Sequence, residues 1–266
     1  MEKQDVKLYY FSGTGNSLKI AKDIGSALGN HELISIPKLL RENESPVVEG
    51  SLVGLVFPTY FARPPVIIRE LVERAELGDI GYLFLIADGG GMFGRVLKIC
   101  AKAIKEKGKS VDAGFIIGMP GNHPKMAEAQ EKTPEEHYAA EAVRSRDIAE
   151  SVKARKRGKL ETNFGPLGFV VSHLFFKKPY KLSKAHSLDQ AFWVTEECNN
   201  CSTCRQVCPM KNIIETKGKP EWLHDCINCN ACYHHCPQEA IQLNGMDMKR
   251  YSHPEISLEE IISGAH

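Results

Sequence analysis

Cys198, Cys201, Cys204 and Cys208-Pro209 recur 28 residues later as Cys226, Cys229, Cys232 and Cys236-Pro237, so one C-x2-C-x2-C-x3-C-P run occurs twice. Cysteine thiolates are soft ligands for zinc and iron. Three at two-residue gaps let a tight loop wrap three irons of a cubane cluster. The alternative is zinc, because paired C-x2-C units also build tetrahedral zinc sites. Zinc gives no reason for a third cysteine at the same gap, for a proline after each fourth cysteine, or for two runs in register. The correspondence continues past the prolines, where Asn212-Ile213 and Ala240-Ile241 hold equivalent places. Each repeat thereby supplies an aliphatic residue to wall a cluster from water.

A second stretch able to do chemistry lies near the start of the chain. Ser12-Gly13-Thr14-Gly15-Asn16-Ser17 follows the β-forming run Val6 to Phe11 and precedes the helical spacing of Leu18, Ile20 and Ala21. A strand, a hydroxyl- and glycine-rich loop and a helix present backbone N–H groups to phosphate. The Walker pattern is absent, and Leu18 stands where a dinucleotide fingerprint needs its third glycine.

The elements that must position these residues alternate. Apolar runs at Leu33 to Ile36, Ser51 to Phe57, Gly81 to Ala87 and Phe115 to Gly118 follow the first strand. Helical periodicity marks Pro65 to Ala75, Arg95 to Lys107 and Glu135 to Arg157. Thr133-Pro134-Glu135-Glu136 combines a threonine cap, proline at the first helical position and glutamate three residues after the cap. The pattern predicts an α/β fold: a doubly wound, five-stranded parallel sheet in the order 2-1-3-4-5, followed by a small α+β domain carrying the cysteines. Ligands of such sheets lie beyond the carboxyl ends of the strands. That rule singles out Pro58-Thr59-Tyr60-Phe61-Ala62, with an aromatic to cover a ring, and Asp88-Gly89-Gly90-Gly91-Met92, where backbone can approach closely. It adds Asn122 from Met119-Pro120-Gly121-Asn122-His123-Pro124, whose His123 is expected to be a solvated loop histidine.

The length of 266 residues suits two domains. The expected boundaries are 1–158 for the sheet domain, 159–190 for a basic and apolar linker, 191–246 for the cysteine domain and 247–266 for a C-terminal tail. The ninth cysteine, Cys100, falls in a predicted helix and is expected to be a buried hydrophobe. Met1-Glu2-Lys3-Gln4-Asp5 has no apolar export region, which points to the reducing cytoplasm.

Net charge is +1 but unevenly spread, since residues 151–184 carry nine Lys/Arg against one Asp/Glu. Phe164 to Phe176 within this segment is too short to span a bilayer. It is expected to pack between domains or to form a docking surface, with membrane-surface contact the lesser alternative. No nucleic-acid motif accompanies the cations. They suit an acidic ferredoxin or a similar carrier protein as partner.

The doubled run resembles the bacterial two-cluster ferredoxins. That resemblance implies that Cys198, Cys201, Cys204 and Cys236 hold one 4Fe-4S cluster and that Cys226, Cys229, Cys232 and Cys208 hold the other. The loop Ser12 to Ser17 resembles that of the flavodoxins, which implies FMN bound by Ser12, Gly13, Thr14, Gly15, Asn16 and Ser17. Pro58, Thr59, Tyr60, Phe61, Asp88, Gly89, Gly90, Gly91 and Asn122 would complete that site. Together the halves are similar to the flavodoxin/ferredoxin fusion proteins, implying a cytoplasmic, anaerobic redox protein. One departure is that the first 150 residues carry 19 Lys/Arg against 21 Asp/Glu, close to neutral where flavodoxins are acidic. The leading expectation is an iron–sulfur flavoprotein exchanging single electrons with an external low-potential carrier. The alternatives are an FMN-dependent reductase of a small molecule and, in a different class, a redox or iron sensor.

Overall fold

The computed structural model describes residues 5–123, 130–163, 188–244 and 248–266. The segment 164–181, expected to be a linker or docking surface, lies outside the described residues. Five parallel strands form the main sheet: β1 (Val6–Tyr10), β2 (His31–Ser35), β4 (Leu52–Pro58), β6 (Leu83–Gly89) and β7 (Ala113–Gly118). Their spatial order is β2-β1-β4-β6-β7, which is 2-1-3-4-5 counted within this sheet, the flavodoxin-like order. β4 and β6 are almost wholly buried along their length, as expected of parallel strands covered on both faces. The short runs β3 (Val47–Gly50) and β5 (Glu76–Ile80) pair separately and were not apparent from periodicity.

Helices cover both faces: α1 (Asn16–Leu28), α2 (Ile36–Glu42), α3 (Val66–Arg74), α4 (Val96–Glu106) and α5 (Pro134–Lys153). Thr133 caps α5 in a full capping box. Helix α5 stops at Lys153, four residues short of the expected Arg157, because Arg155 adopts φ 46°. Cys100 is 3% exposed, as its apolar neighbours predict.

The cysteine region repeats in backbone as well as in sequence. Left-handed residues occur at Asn200, Ser202 and Lys211, and again 28 positions on at Asn228, Asn230 and Glu239. Helix α6 (Thr203–Gln206) corresponds to α7 (Ala231–His234). β8 (Phe192–Val194) pairs with β11 (Ile241–Leu243), and β9 (Ile213–Thr216) pairs with β10 (Lys219–Trp222), both antiparallel.

The core of one sheet face does not end at the first module. Val207, Ile227, Cys229, Ala231, Ile256 and Ile261 belong to the same buried cluster as Phe11, Phe57 and Phe93. The stretch read as a tail folds back onto the sheet domain. Ser257 begins α8 (Leu258–Ala265) with a capping box, Lys22 pairs with Glu260, and the Ser35 hydroxyl donates to Gly264 O.

Candidate functional site

Helix α1 starts without a side-chain cap and without an acidic residue in its first turn. Its leading N–H groups are therefore left for an anion. Gly15 before it adopts φ 99°, a conformation costly for any residue with a Cβ. The loop hydroxyls divide their work. Ser12 Oγ accepts from Gly15 N at 3.1 Å, and Thr14 Oγ1 accepts from Asn122 Nδ2 at 3.5 Å, so both keep their proton for a ligand. Ser17 spends its proton on Asp88 Oδ2 at 2.5 Å.

The loop opens onto a cavity of about 310 Å³, within the range of sites for cofactor-sized molecules. Of the expected residues, Ser12, Gly13, Thr14, Asn16, Ser17, Pro58, Thr59, Tyr60, Phe61, Asp88, Gly89, Gly90 and Asn122 line it. Gly15 and Gly91 do not. Gly15 lies under the C-terminal stretch, where a Cβ would come 2.8 Å from that of His253, and Gly91 has nothing within 4 Å. His123 lines the cavity, half-buried, where a solvated position was expected. Phe61 and Ala62, both at positive φ, turn the second loop, leaving Phe61 51% exposed at the rim with Met92.

Two observations bear on the polarity of the cavity. Thr59 Oγ1 and Tyr60 Oη are buried without a hydrogen-bond partner, and both residues line it; such orphans are rare where nothing answers them. Asp88, 1% exposed, has its carboxyl pushed up to about 7 by burial, with the Ser17 hydrogen bond opposing. A carboxyl raised in this way carries less negative charge beside the Ser12–Ser17 loop than an ordinary carboxylate would.

The cysteines collect into two sets. Cys198, Cys201, Cys204 and Cys236 line one cavity, here the outer set. Cys208, Cys226, Cys229 and Cys232 line the other, the inner set. Each set walls a space of its own. Cys201 is exposed while Cys229 and Cys232 are buried. Burial pushes the Cys204 thiol up to about 11 and the Cys226 thiol up to about 12, so a metal must displace their protons as it binds. Backbone N–H groups of Asn212 and Asn228 already donate to Cys208 and Cys226 sulfurs, each at 3.3 Å.

The inner set is docked against the Ser12–Ser17 loop. An added Cβ at Gly13 would lie 3.0 Å from Cys229 O and 3.1 Å from its Cβ, so a side chain here would press on the docked loop. Asn122 Nδ2 donates to Cys229 O at 3.3 Å, and Asn122 O accepts from Asn230 Nδ2 at 3.2 Å and His234 Nε2 at 2.9 Å. His235 Nε2 donates to Gly13 O at 3.1 Å. Behind the loop, His253 N donates to Thr14 O at 2.8 Å and Tyr251 Oη donates to Asn16 Oδ1 at 2.5 Å. Asn230 lines both the inner cysteine cavity and the 310 Å³ cavity. Sequence reasoning missed this docking; its one visible signal was Tyr233-His234-His235, three residues with large polar or ring side chains between two ligand-type cysteines.

Residues 197–241 match the 4Fe-4S dicluster domain family. A flavodoxin-like fold is joined here to a ferredoxin-like one. The match ties the cysteine region to iron–sulfur chemistry and hence to electron transfer. A flavodoxin from the domain Archaea is 22% identical, with 56% of this chain and 99% of that chain covered at a TM-score of 0.33. A candidate flavoprotein from Bacteroides uniformis ATCC 8492 is 14% identical, with 48% of this chain and 97% of that one covered at a TM-score of 0.31. No curated protein matches the chain. Among the described residues no helix is long and apolar enough to cross a membrane.

Proposed function

We propose that this flavodoxin-like/ferredoxin-like protein is an iron–sulfur flavoprotein that passes single electrons between two 4Fe-4S clusters and FMN, and exchanges them with an external low-potential carrier. The observation that carries the proposal is Asn230, which walls both the inner cysteine cavity and the 310 Å³ cavity. FMN would supply the step from single electrons to pairs, since it can take one or two. The chain's own residues do the rest. Gly13 and Thr14, with the open end of α1, would hold the phosphate. Tyr60 stands edge-on to Phe11, ring centroids 6.3 Å apart, which fixes its orientation at the cavity wall. Asn122, His234 and His235 keep the inner cysteine loop seated, so the separation between the two centres is set by hydrogen bonds rather than by a loose linker.

Cys201, exposed, makes the outer set the face offered to a carrier protein. An acidic carrier would suit Lys153, Arg155, Lys156, Arg157 and Lys159, which follow one another closely at the end of α5. A reductase of a small molecule is the second reading. It is favoured by the rim, where Phe61 and Met92 are 51% and 44% exposed and offer apolar surface beside the cavity.

The test is anaerobic reconstitution followed by stoichiometric reduction. Iron and acid-labile sulfide of about eight each per chain are expected from two cubanes, together with bound FMN. Zinc in place of iron sinks the cluster assignment, and failure to bind flavin sinks both flavin readings. Reoxidation accelerated by carrier proteins but by no small molecule sinks the reductase reading.

A further inference from the structure

Trp222 ends β10, and its indole lies parallel to the Phe192 ring with centroids 5.5 Å apart at 8°. The stack fixes the plane of the indole and with it the direction of Nε1–H. That nitrogen is buried and has no hydrogen-bond partner, although buried donors are almost always satisfied. Trp222 lines the inner cavity with Cys208, Cys226, Cys229 and Cys232. The outer cavity has no tryptophan in its lining; there the Thr203 hydroxyl lies 3.3 Å from Cys201 Sγ. The two loops share their backbone pattern; among the described residues lining the two cysteine cavities, Trp222 carries a buried side-chain nitrogen without a partner at the inner one.

We propose that the Trp222 indole N–H donates to a sulfur of the inner cluster and raises that cluster's reduction potential relative to the outer one. The proposal rests on reading the inner cysteines as 4Fe-4S ligands. Reduction adds one electron, drawn from the external carrier, and spreads its charge over the sulfurs. A donor aimed at sulfur stabilises this reduced form more than the oxidised one, and burial keeps water from substituting for it. Trp222 is thus a tuning residue. It would help an electron that arrives at the exposed outer set to settle beside the flavin cavity.

The test uses the full chain reconstituted anaerobically, wild type and Trp222→Phe, each assayed for iron and sulfide and then titrated potentiometrically by EPR. Phenylalanine retains an aromatic ring against Phe192 and removes the N–H together with the pyrrole part of the indole. The two midpoints are assigned in a Cys236→Ser background, which lacks one ligand of the outer set. The expected result is a fall in the inner midpoint with the outer one unmoved. A full iron complement with both midpoints unchanged overturns the proposal, while wild-type protein without cubane iron overturns the cluster reading beneath it. Pulsed EPR of reduced wild-type protein carrying 15N-indole tryptophan decides the matter should the variant not assemble. A nitrogen coupling on the inner cluster supports the donor, and its absence overturns it.

Discussion

Replacing Asp88 by asparagine changes how stability varies with pH. The carboxyl is 1% exposed, and burial raises it from 3.8 to about 7 against the Ser17 hydrogen bond. The unfolded chain gives up this proton near 3.8, whereas the folded protein keeps it until about 7. The folded state thus binds more protons between those values, and stability falls as pH rises through that window. The whole shift corresponds to about 4 kcal/mol, of which about 2 kcal/mol falls between pH 5.5 and 7. Asparagine retains an oxygen to accept from Ser17 but cannot ionise. Glu141, also pushed up to about 7 by burial, titrates in both proteins and cancels in the difference. Anaerobic urea unfolding, followed by far-UV circular dichroism from pH 5.5 to 8, should show the wild type losing about 2 kcal/mol relative to Asp88→Asn. Unfolding free energies that run parallel across this range would refute the argument, because the carboxyl would then be ionised throughout.

Three further substitutions test separate links. Thr14→Glu places a second anion at the phosphate loop, where Thr14 is 4% exposed; flavin content should drop to background while iron and sulfide stay at the wild-type ratio, since like charges repel. Gly15→Ala forces a Cβ onto φ 99° and to within 2.8 Å of His253 Cβ, and should cost about 1–3 kcal/mol by denaturant titration, with faster proteolysis near residue 253. Cys236→Ser removes one ligand from the outer set alone, so iron should fall to about four per chain with one EPR signal left; loss of all iron would show that the sets do not assemble independently.

The parts legible in sequence were those with a short-range cause. Strong apolar runs announced β4 and β6, and the capping box of Thr133 announced α5, because both signals lie within a few neighbouring residues. The eight cysteines were legible by spacing, and Ser12 to Ser17 by its place between strand and helix. What was not legible depended on residues brought together from more than 100 positions apart. Asn122, His234, Tyr251 and His253 are each unremarkable polar residues in the sequence; only the fold makes them a clasp around the phosphate loop. The β3 and β5 pairing was missed because Glu76-Leu77-Gly78-Asp79-Ile80 lacks the alternation of a half-buried strand. Gly15 was legible as a loop glycine, but its φ of 99° and its closeness to His253 were not.

The 28-residue repeat of left-handed positions gives the two cysteine loops nearly the same backbone, so ligand geometry alone cannot distinguish the two ends. Polarity enters through what one loop touches. One copy touches Gly13 and shares Asn230 with the neighbouring cavity, and the other presents Cys201 to solvent. Symmetry is thus broken by docking. Asn230, His234 and His235 of the docked loop correspond to Ser202, Gln206 and Val207 in the other copy, so the side chains that seat one copy against the Ser12–Ser17 loop are not repeated in the other. The two ends thus differ in their surroundings while their backbone repeats, one packed into the core of the sheet domain and the other open to solvent.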